Sequence, residues 1–490
     1  MRFISIRKFA ALVALGLLVS CGPVKQDSPT TTAAVSVTPT ALSFSPCEDE
    51  DLAGLECATA RAQLDWQDEN AGTIDVAVAR VRARKERYGS LFVNPGGPGA
   101  SARDFLHYAL TFLTKGVLDH YDVVAVDPRG TGGTSPLYCD VNFDEVFSQD
   151  ISPDTPEEVE AVINADAEVA KACNAKFPDL LQHISTRNSA RDIDFVRGLL
   201  GDSEINFLGF SYGTELGATY IADFPDHVGR FVLDGPLDPM QSVLERSLTQ
   251  GAGFEKNLNS FFSWCDANDG SCAFAPDSAA KFDVLYKRLD TSPLSNDKDR
   301  VATNQTVMLF ATATALYAEE TYKVLGSALQ RAWTGDGSVL LTLFDAYMGR
   351  SDDGSHTAGQ FAYRAIYTAD YASPTVAEQE NLLMNAESTL PRLWPLFSTP
   401  PHEDPWPKIG QRERPTFTSS PKGKVVVVAA KDDPATPYAG GVRLAEILAA
   451  PLVTRNGSDH TSYPFSACVR GVIDTFLVER SPMTPQTECD

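Results

Sequence analysis

Five residues near the middle of the chain, Gly209-Phe210-Ser211-Tyr212-Gly213, set one hydroxyl between two glycines. They follow an apolar run, Ile205 to Leu208, and precede a helix-forming stretch, Thr214 to Phe224, that stops at Pro225. Where a strand turns sharply into a helix, the residue at the corner is strained and side chains beside it would obstruct the turn, so both flanks favour glycine. Such a corner presents Ser211 Oγ at a helix N-terminus. A hydroxyl is a weak nucleophile until a base takes its proton, so a histidine must be brought to it.

Seven histidines are available, and this kind of corner calls for the chain order Ser, acid, His, with the last two at the carboxyl ends of late strands. After KVVVVAA come Asp432 and Asp433, and after PLVTRNGSD comes His460. The 27 residues from Asp433 to His460 leave room for one helix and one strand. Asp433 is preferred as the acid because DPATP stiffens its loop with two prolines; Asp432 and Asp234, the latter ending the run in RFVLDGP, are the alternatives. Asp127, in VAVDPRGTGGT, precedes the serine and reads as a turn organiser. His107, His120, His183, His227, His356 and His402 read as solvated. A tetrahedral intermediate also needs donors for its oxyanion: the amide of Tyr212 is one, and the glycine-rich loop NPGGPGAS, Asn94 to Ser101, supplies the other.

The elements that must hold these groups are visible as short runs rich in Val, Ile and Phe: TIDVAVARV, SLFVNP, YDVVAVDP, INFLGF, RFVLDGP and KVVVVAA. Continuous apolar character marks parallel strands covered on both faces, and helix-like stretches such as Ser189 to Gly201 lie between them. The pattern predicts a doubly wound α/β sheet. From about 241 to 400 the strand signal gives way to helical segments, among them Tyr322 to Trp333 with Leu325, Leu329 and Trp333 on one face. This predicts a helical insertion over the carboxyl ends of the strands, dividing the sheet domain into 46–240 and 401–490.

Before it, residues 1–20 read as an export signal: Arg2, Arg7 and Lys8, then FAALVALGLLV, whose eleven residues are too few to span a bilayer. LVSC resembles a bacterial lipobox, which implies lipidation of Cys21, with 21–45 as a flexible tether rich in Ser, Thr, Pro and Ala; the protein is then exported and anchored to a bacterial cell membrane. The formal charge of −24, from 65 acidic and 41 basic residues, opposes nucleic-acid phosphates. Eight further cysteines in an exported chain favour disulfides over zinc, for which no CxxC pair or histidine spacing speaks. Their connectivity is open at this level; the simplest pairing joins sequence neighbours, Cys47–Cys57, Cys139–Cys173, Cys265–Cys272 and Cys468–Cys489. No phosphate-binding loop is present, and no metal or organic cofactor is called for.

NPGGPGAS, YDVVAVDPRGTGGTS, GFSYGTELGATYIADFPDHVGRFVLDGPLDP, DDPATPY and SDH followed by SACV resemble the secreted tripeptidyl aminopeptidases and their prolyl-aminopeptidase relatives among the α/β-hydrolases. The resemblance runs from about Cys47 to Cys489. It implies an α/β-hydrolase sheet with a helical cap, Ser211 as nucleophile, Asp433 as acid and His460 as general base, the Gly96–Gly97 turn and Tyr212 as oxyanion donors, and a disulfide between Cys468 and Cys489. The activity implied is that of an exopeptidase on peptides with free N-termini. An aminopeptidase must sense an ammonium group with buried carboxylates, for which the candidates are Asp370, Glu215, Glu319 and Glu320. Two features depart from the family: Tyr367 or Thr368 and the segment HEDPWP stand where relatives carry cysteines, and Thr461 follows the histidine in place of glycine. The same machinery serves an esterase, and the same fold without turnover would serve a surface-tethered binding protein.

Overall fold

The computed structural model describes residues 41–296, 300–407, 415–417, 419–484 and 486–490. Residues 1–40, which include the expected export signal, Cys21 and most of the expected tether, lie outside the described residues. Ten strands form one sheet: β1 Ser45–Pro46, β2 Glu56–Asp65, β3 Asp68–Val81, β4 Gly89–Asn94, β5 Tyr121–Val126, β6 Ile205–Phe210, β7 Val228–Asp234, β8 Val425–Ala430, β9 Leu452–Arg455 and β10 Gln486–Cys489. Their order is β1-β2-β3-β5-β4-β6-β7-β8-β9-β10. From β5 onward all pairs are parallel, in the register Val93 with Ala125, Val93 with Leu208, Leu208 with Val232, Val232 with Val426 and Val428 with Val453.

Strands β5, β6 and β8 are buried along their whole length, which is why their sequences are unbroken apolar runs. The run TIDVAVARV behaves differently. It is the end of β3, which pairs antiparallel with both β2 and β5. Its first residues alternate, with Ile74 buried and Asp75 exposed, because that edge of the sheet is open on one side.

The helices that matter to the site are α1 Ala102–Phe112, α2 Thr186–Leu200, α3 Tyr212–Asp223, α4 Val243–Ala267, α5 Gly359–Asp370 and α6 Tyr438–Leu448. Between β7 and β8 the chain is helical, beginning with α4 and ending with a short turn at Trp394–Phe397. Helix α4 starts in a capping box, Ser242 accepting from the Glu245 amide while the Glu245 side chain accepts from the Ser242 amide. Within the helix Tyr322–Trp333, Leu325 and Leu329 are fully buried, as the four-residue spacing predicts. Disulfides join Cys47 to Cys57, Cys139 to Cys173, Cys265 to Cys272 and Cys468 to Cys489. Among the described residues no helix is long and apolar enough to cross a membrane.

Candidate active site

Ser211 sits at the corner between β6 and α3 with φ 55° and ψ −126°, a left-handed conformation that L-residues rarely adopt. Three hydrogen bonds hold it there. Its amide donates to Asp234 O at 2.9 Å, and its carbonyl accepts from the Thr214 amide at 2.8 Å and Thr214 Oγ1 at 2.7 Å. The flanking glycines are required by contact: a Cβ on Gly209 would lie 2.5 Å from Gly213 O, and one on Gly213 would lie 2.8 Å from Asn94 O. Strand end, corner and helix start are thus packed backbone against backbone.

Asn94 ends β4 and leads into the loop 95–101, which faces the corner. Gly96, expected as an oxyanion donor, gives its amide to Asn94 Oδ1 at 3.0 Å instead. Its role is steric. With φ at +98°, a side chain there would reach to 2.4 Å from Phe210 O and 2.9 Å from the Tyr212 nitrogen. The amides of Gly97 and Tyr212 donate to no protein group among the described residues; Tyr212 follows Ser211 directly and Gly97 lines the same cavity as Ser211. Asp127 anchors the loop from behind by accepting from Ser101 Oγ at 2.9 Å, from the Arg103 amide at 3.0 Å and from the Gly133 amide at 2.8 Å.

The acid and base loops follow β8 and β9. His460 Nδ1 lies 3.0 Å from each carboxylate oxygen of Asp433. Asp433 is 3% exposed, and its remaining lone pairs accept from the amides of Ala435 at 2.9 Å, Thr436 at 2.8 Å and Thr461 at 3.2 Å, and from Thr436 Oγ1 at 2.9 Å. A buried carboxylate so fully hydrogen-bonded is held in one orientation. Asp432, the alternative acid, points to solvent and pairs with Lys256. Asp234, the other alternative, is fully buried and accepts from the amides of Ser462 at 2.9 and 3.0 Å and of Tyr463 at 2.7 Å. It fixes the loop that follows His460. Burial pushes its carboxyl up to about 6.

No hydrogen bond joins Ser211 Oγ to His460, although both line one cavity of about 340 Å³. Such bonds are often long before substrate binds. The helical insertion covers the cavity with Phe310, Tyr317, Tyr347, Tyr363 and Tyr367, and α1 adds Tyr108. Among the described residues, none that lines it is Asp, Glu, Lys or Arg. The cavity is therefore predominantly aromatic.

The four carboxylates expected to receive an ammonium do not line it. Glu215 is buried behind the wall, accepting from Arg246 Nη1 at 3.2 Å and from the Tyr371 hydroxyl. Arg246 in turn donates to the Tyr367 hydroxyl at 3.3 Å. Asp370 accepts from the Thr186 amide at 2.9 Å and from Thr186 Oγ1 at 2.5 Å, and Thr186 Oγ1 also meets the Tyr212 hydroxyl. Glu319 and Glu320 are exposed. Sequence reasoning missed the tyrosines of α5 and its C-cap, whose spacing of four at Tyr363, Tyr367 and Tyr371 is a readable signal: their rings follow one another at 4.8 and 5.2 Å. The other histidines stay out of the cavity, yet four are engaged rather than solvated: His227 with Asp194 at 2.6 Å, His402 with Asp166 at 3.3 Å, His356 stacked on Phe143 at 4.1 Å and His120 stacked on Tyr88 at 4.3 Å.

Among the described residues no group of His, Cys, Asp and Glu side chains could hold a metal ion. What remains is a hydroxyl at a strained corner, a carboxylate-bound imidazole in the same cavity, and the amides of Tyr212 and Gly97. That arrangement is suited to acyl transfer.

Comparison with known proteins agrees. A family model described as alpha/beta hydrolase fold matches residues 89–466. Serine protease Hip1 of Mycobacterium tuberculosis is 29% identical over 466 residues, covering 89% of this chain and 88% of that protein. Carboxylesterase B of Mycobacterium tuberculosis is 32% identical over 512 residues, covering 96% of each. Tripeptidyl aminopeptidase of Streptomyces lividans is 27% identical over 446 residues, covering 86% of this chain and 81% of that protein. The chain belongs to the α/β-hydrolase family and is a serine hydrolase.

Proposed function

We propose that this protein is an exported serine exopeptidase that releases short peptides or residues from the N-termini of peptides through an acyl-enzyme on Ser211. The observation that carries the reading is the 3.0 Å contact of His460 Nδ1 with both oxygens of Asp433, in the cavity that also holds Ser211. Ser211 Oγ attacks the scissile carbonyl while His460 Nε2 takes its proton, and Asp433 holds the imidazole and stabilises its charged form. The oxyanion meets the amides of Tyr212 and Gly97. His460 returns the proton to the leaving amine, and water repeats the sequence on the ester.

Exopeptidase action is supported by the insertion, whose helices roof the cavity and favour a chain end over the middle of a folded substrate. The likeness to a tripeptidyl aminopeptidase supports it too. In this reading the ammonium meets the Tyr367 phenol first, because Glu215 stands behind it across Arg246. The four disulfides support export, and Cys21 supports anchoring by lipid. A Cys21→Ser variant is then expected to move from the membrane to the soluble fraction.

A second reading, hydrolysis of carboxylic esters, is favoured by one observation: no carboxylate lines the cavity to receive an amine. The likeness to a carboxylesterase points the same way. Tripeptidyl p-nitroanilides with free and acetylated N-termini separate the two. At least tenfold faster cleavage of the free form is expected; equal cleavage of both removes the exopeptidase reading, and activity on esters alone establishes the second.

A further inference from the structure

We infer that Gln250, on the first helix of the insertion, is a positioning residue for Asp433, so that the insertion braces the acid and base loops as well as roofing the cavity. The inference rests on the reading of Ser211, Asp433 and His460 as the reacting group.

One face of α4 lies along both loops. Gln250, Gly253, Lys256 and Asn257 follow at helical spacing, so their side chains share that face. Gln250 Nε2 donates to Ala435 O at 2.8 Å. Gly253 lets the helix backbone touch the acid loop, since a Cβ there would lie 2.4 Å from Pro434 O. Asn257 Nδ2 donates to Ser458 O at 3.3 Å, two residues before His460. Lys256 pairs with Asp432, with their side chains 61% and 45% exposed, a contact of small worth. A second part of the insertion reaches the base directly: the His460 amide donates to Tyr317 O at 2.7 Å, and the Glu319 amide donates to Asp459 Oδ1 at 3.0 Å.

The chain of contacts through Gln250 is short. Ala435 offers its carbonyl to Gln250 and its amide to Asp433 Oδ1, and the next amide, of Thr436, reaches the same oxygen. The orientation of this turn sets the carboxylate, and the carboxylate sets the imidazole. Gln250 also borders the cavity, so the test must separate positioning from substrate contact.

p-Nitrophenyl acetate makes that separation, because its acetyl group is too small to fill the aromatic cavity. Gln250→Met keeps the length and removes the donor; Gln250→Glu keeps the shape and removes the donor. Both are expected to lower Ser211-dependent hydrolysis of p-nitrophenyl acetate about 10- to 100-fold, the loss typical of a small misplacement. The melting temperature should hold, and KM for a tripeptidyl p-nitroanilide should change less than about threefold. Gly253→Ala, which pushes Pro434 away, is expected to show the same loss in kcat and guards against a fault peculiar to position 250. Unchanged acetate hydrolysis in the Gln250 variants, or a loss confined to peptide KM, overturns the inference. Acetate hydrolysis by the unaltered protein that survives Ser211→Ala sinks instead the reading beneath it, so the two failures are told apart.

Discussion

The missing side chain of Gly96 faces the amide of Tyr212: a Cβ on Gly96 would stand 2.9 Å from that nitrogen and 3.0 Å from Ser211 Cβ. Glycine at 96 is thus the condition for an empty hole beside the nucleophile. Gly96→Ala is expected to lower kcat by about 100-fold or more, on the scale of a lost oxyanion donor. Its φ of +98° adds strain, so the melting temperature should drop modestly as well. Steady-state kinetics with peptide and ester substrates check this, and a fall in both is required.

The tandem carboxylates should separate cleanly. Asp433→Asn removes the charge that holds His460 and is expected to cut kcat by about 10³- to 10⁴-fold. Asp432→Asn removes only an exposed pair with Lys256 and is expected to keep kcat/KM within about threefold. The reverse ranking would move the acid to Asp432.

An aromatic cavity with no charged lining residue among the described residues should select against a charged side chain on the residue whose carbonyl Ser211 attacks. Leaving an ion there without a partner costs several kcal/mol, so peptides with Phe, Tyr or Leu at that place should exceed those with Asp or Lys by at least about 100-fold in kcat/KM. Product analysis on a mixed peptide library reads both this preference and the length of the fragment released.

Much of this site was legible in advance because its parts are local. The Ser211 corner is specified by glycines within two residues of it, and Asp433 and His460 follow apolar runs that can only be strands. The engagement of Glu215 was not legible, since its partners Arg246 and Tyr371 stand 31 and 156 residues away. Nothing in the neighbourhood of Glu215 announces them. The same holds for Gly96: its amide is claimed by Asn94, a choice between two inward turns of one loop that only the packing makes. Strand β3 was legible as a strand but not as antiparallel to β2, because that pairing direction depends on the two-residue turn joining the two rather than on apolar content.

Asp234 gives a signature in pH. Burial lifts its carboxyl to about 6, above the ordinary value of about 4, so the folded protein keeps the proton longer than the unfolded chain. Its contribution to stability is fully present below about pH 4 and is lost as pH rises through about 6, a change of up to about 3 kcal/mol. Comparison of urea midpoints should show the unaltered protein losing stability relative to Asp234→Asn across that window. A constant difference between pH 4 and 7 would mean that Asp234 is ionised throughout.

Covalent labelling with a fluorophosphonate, followed by peptide mapping, addresses the nucleophile itself. The account predicts one adduct, on the peptide that carries Ser211, absent in Ser211→Ala and formed at least about 100-fold more slowly in His460→Ala. An unlabelled protein, or an adduct on any other serine, would contradict it.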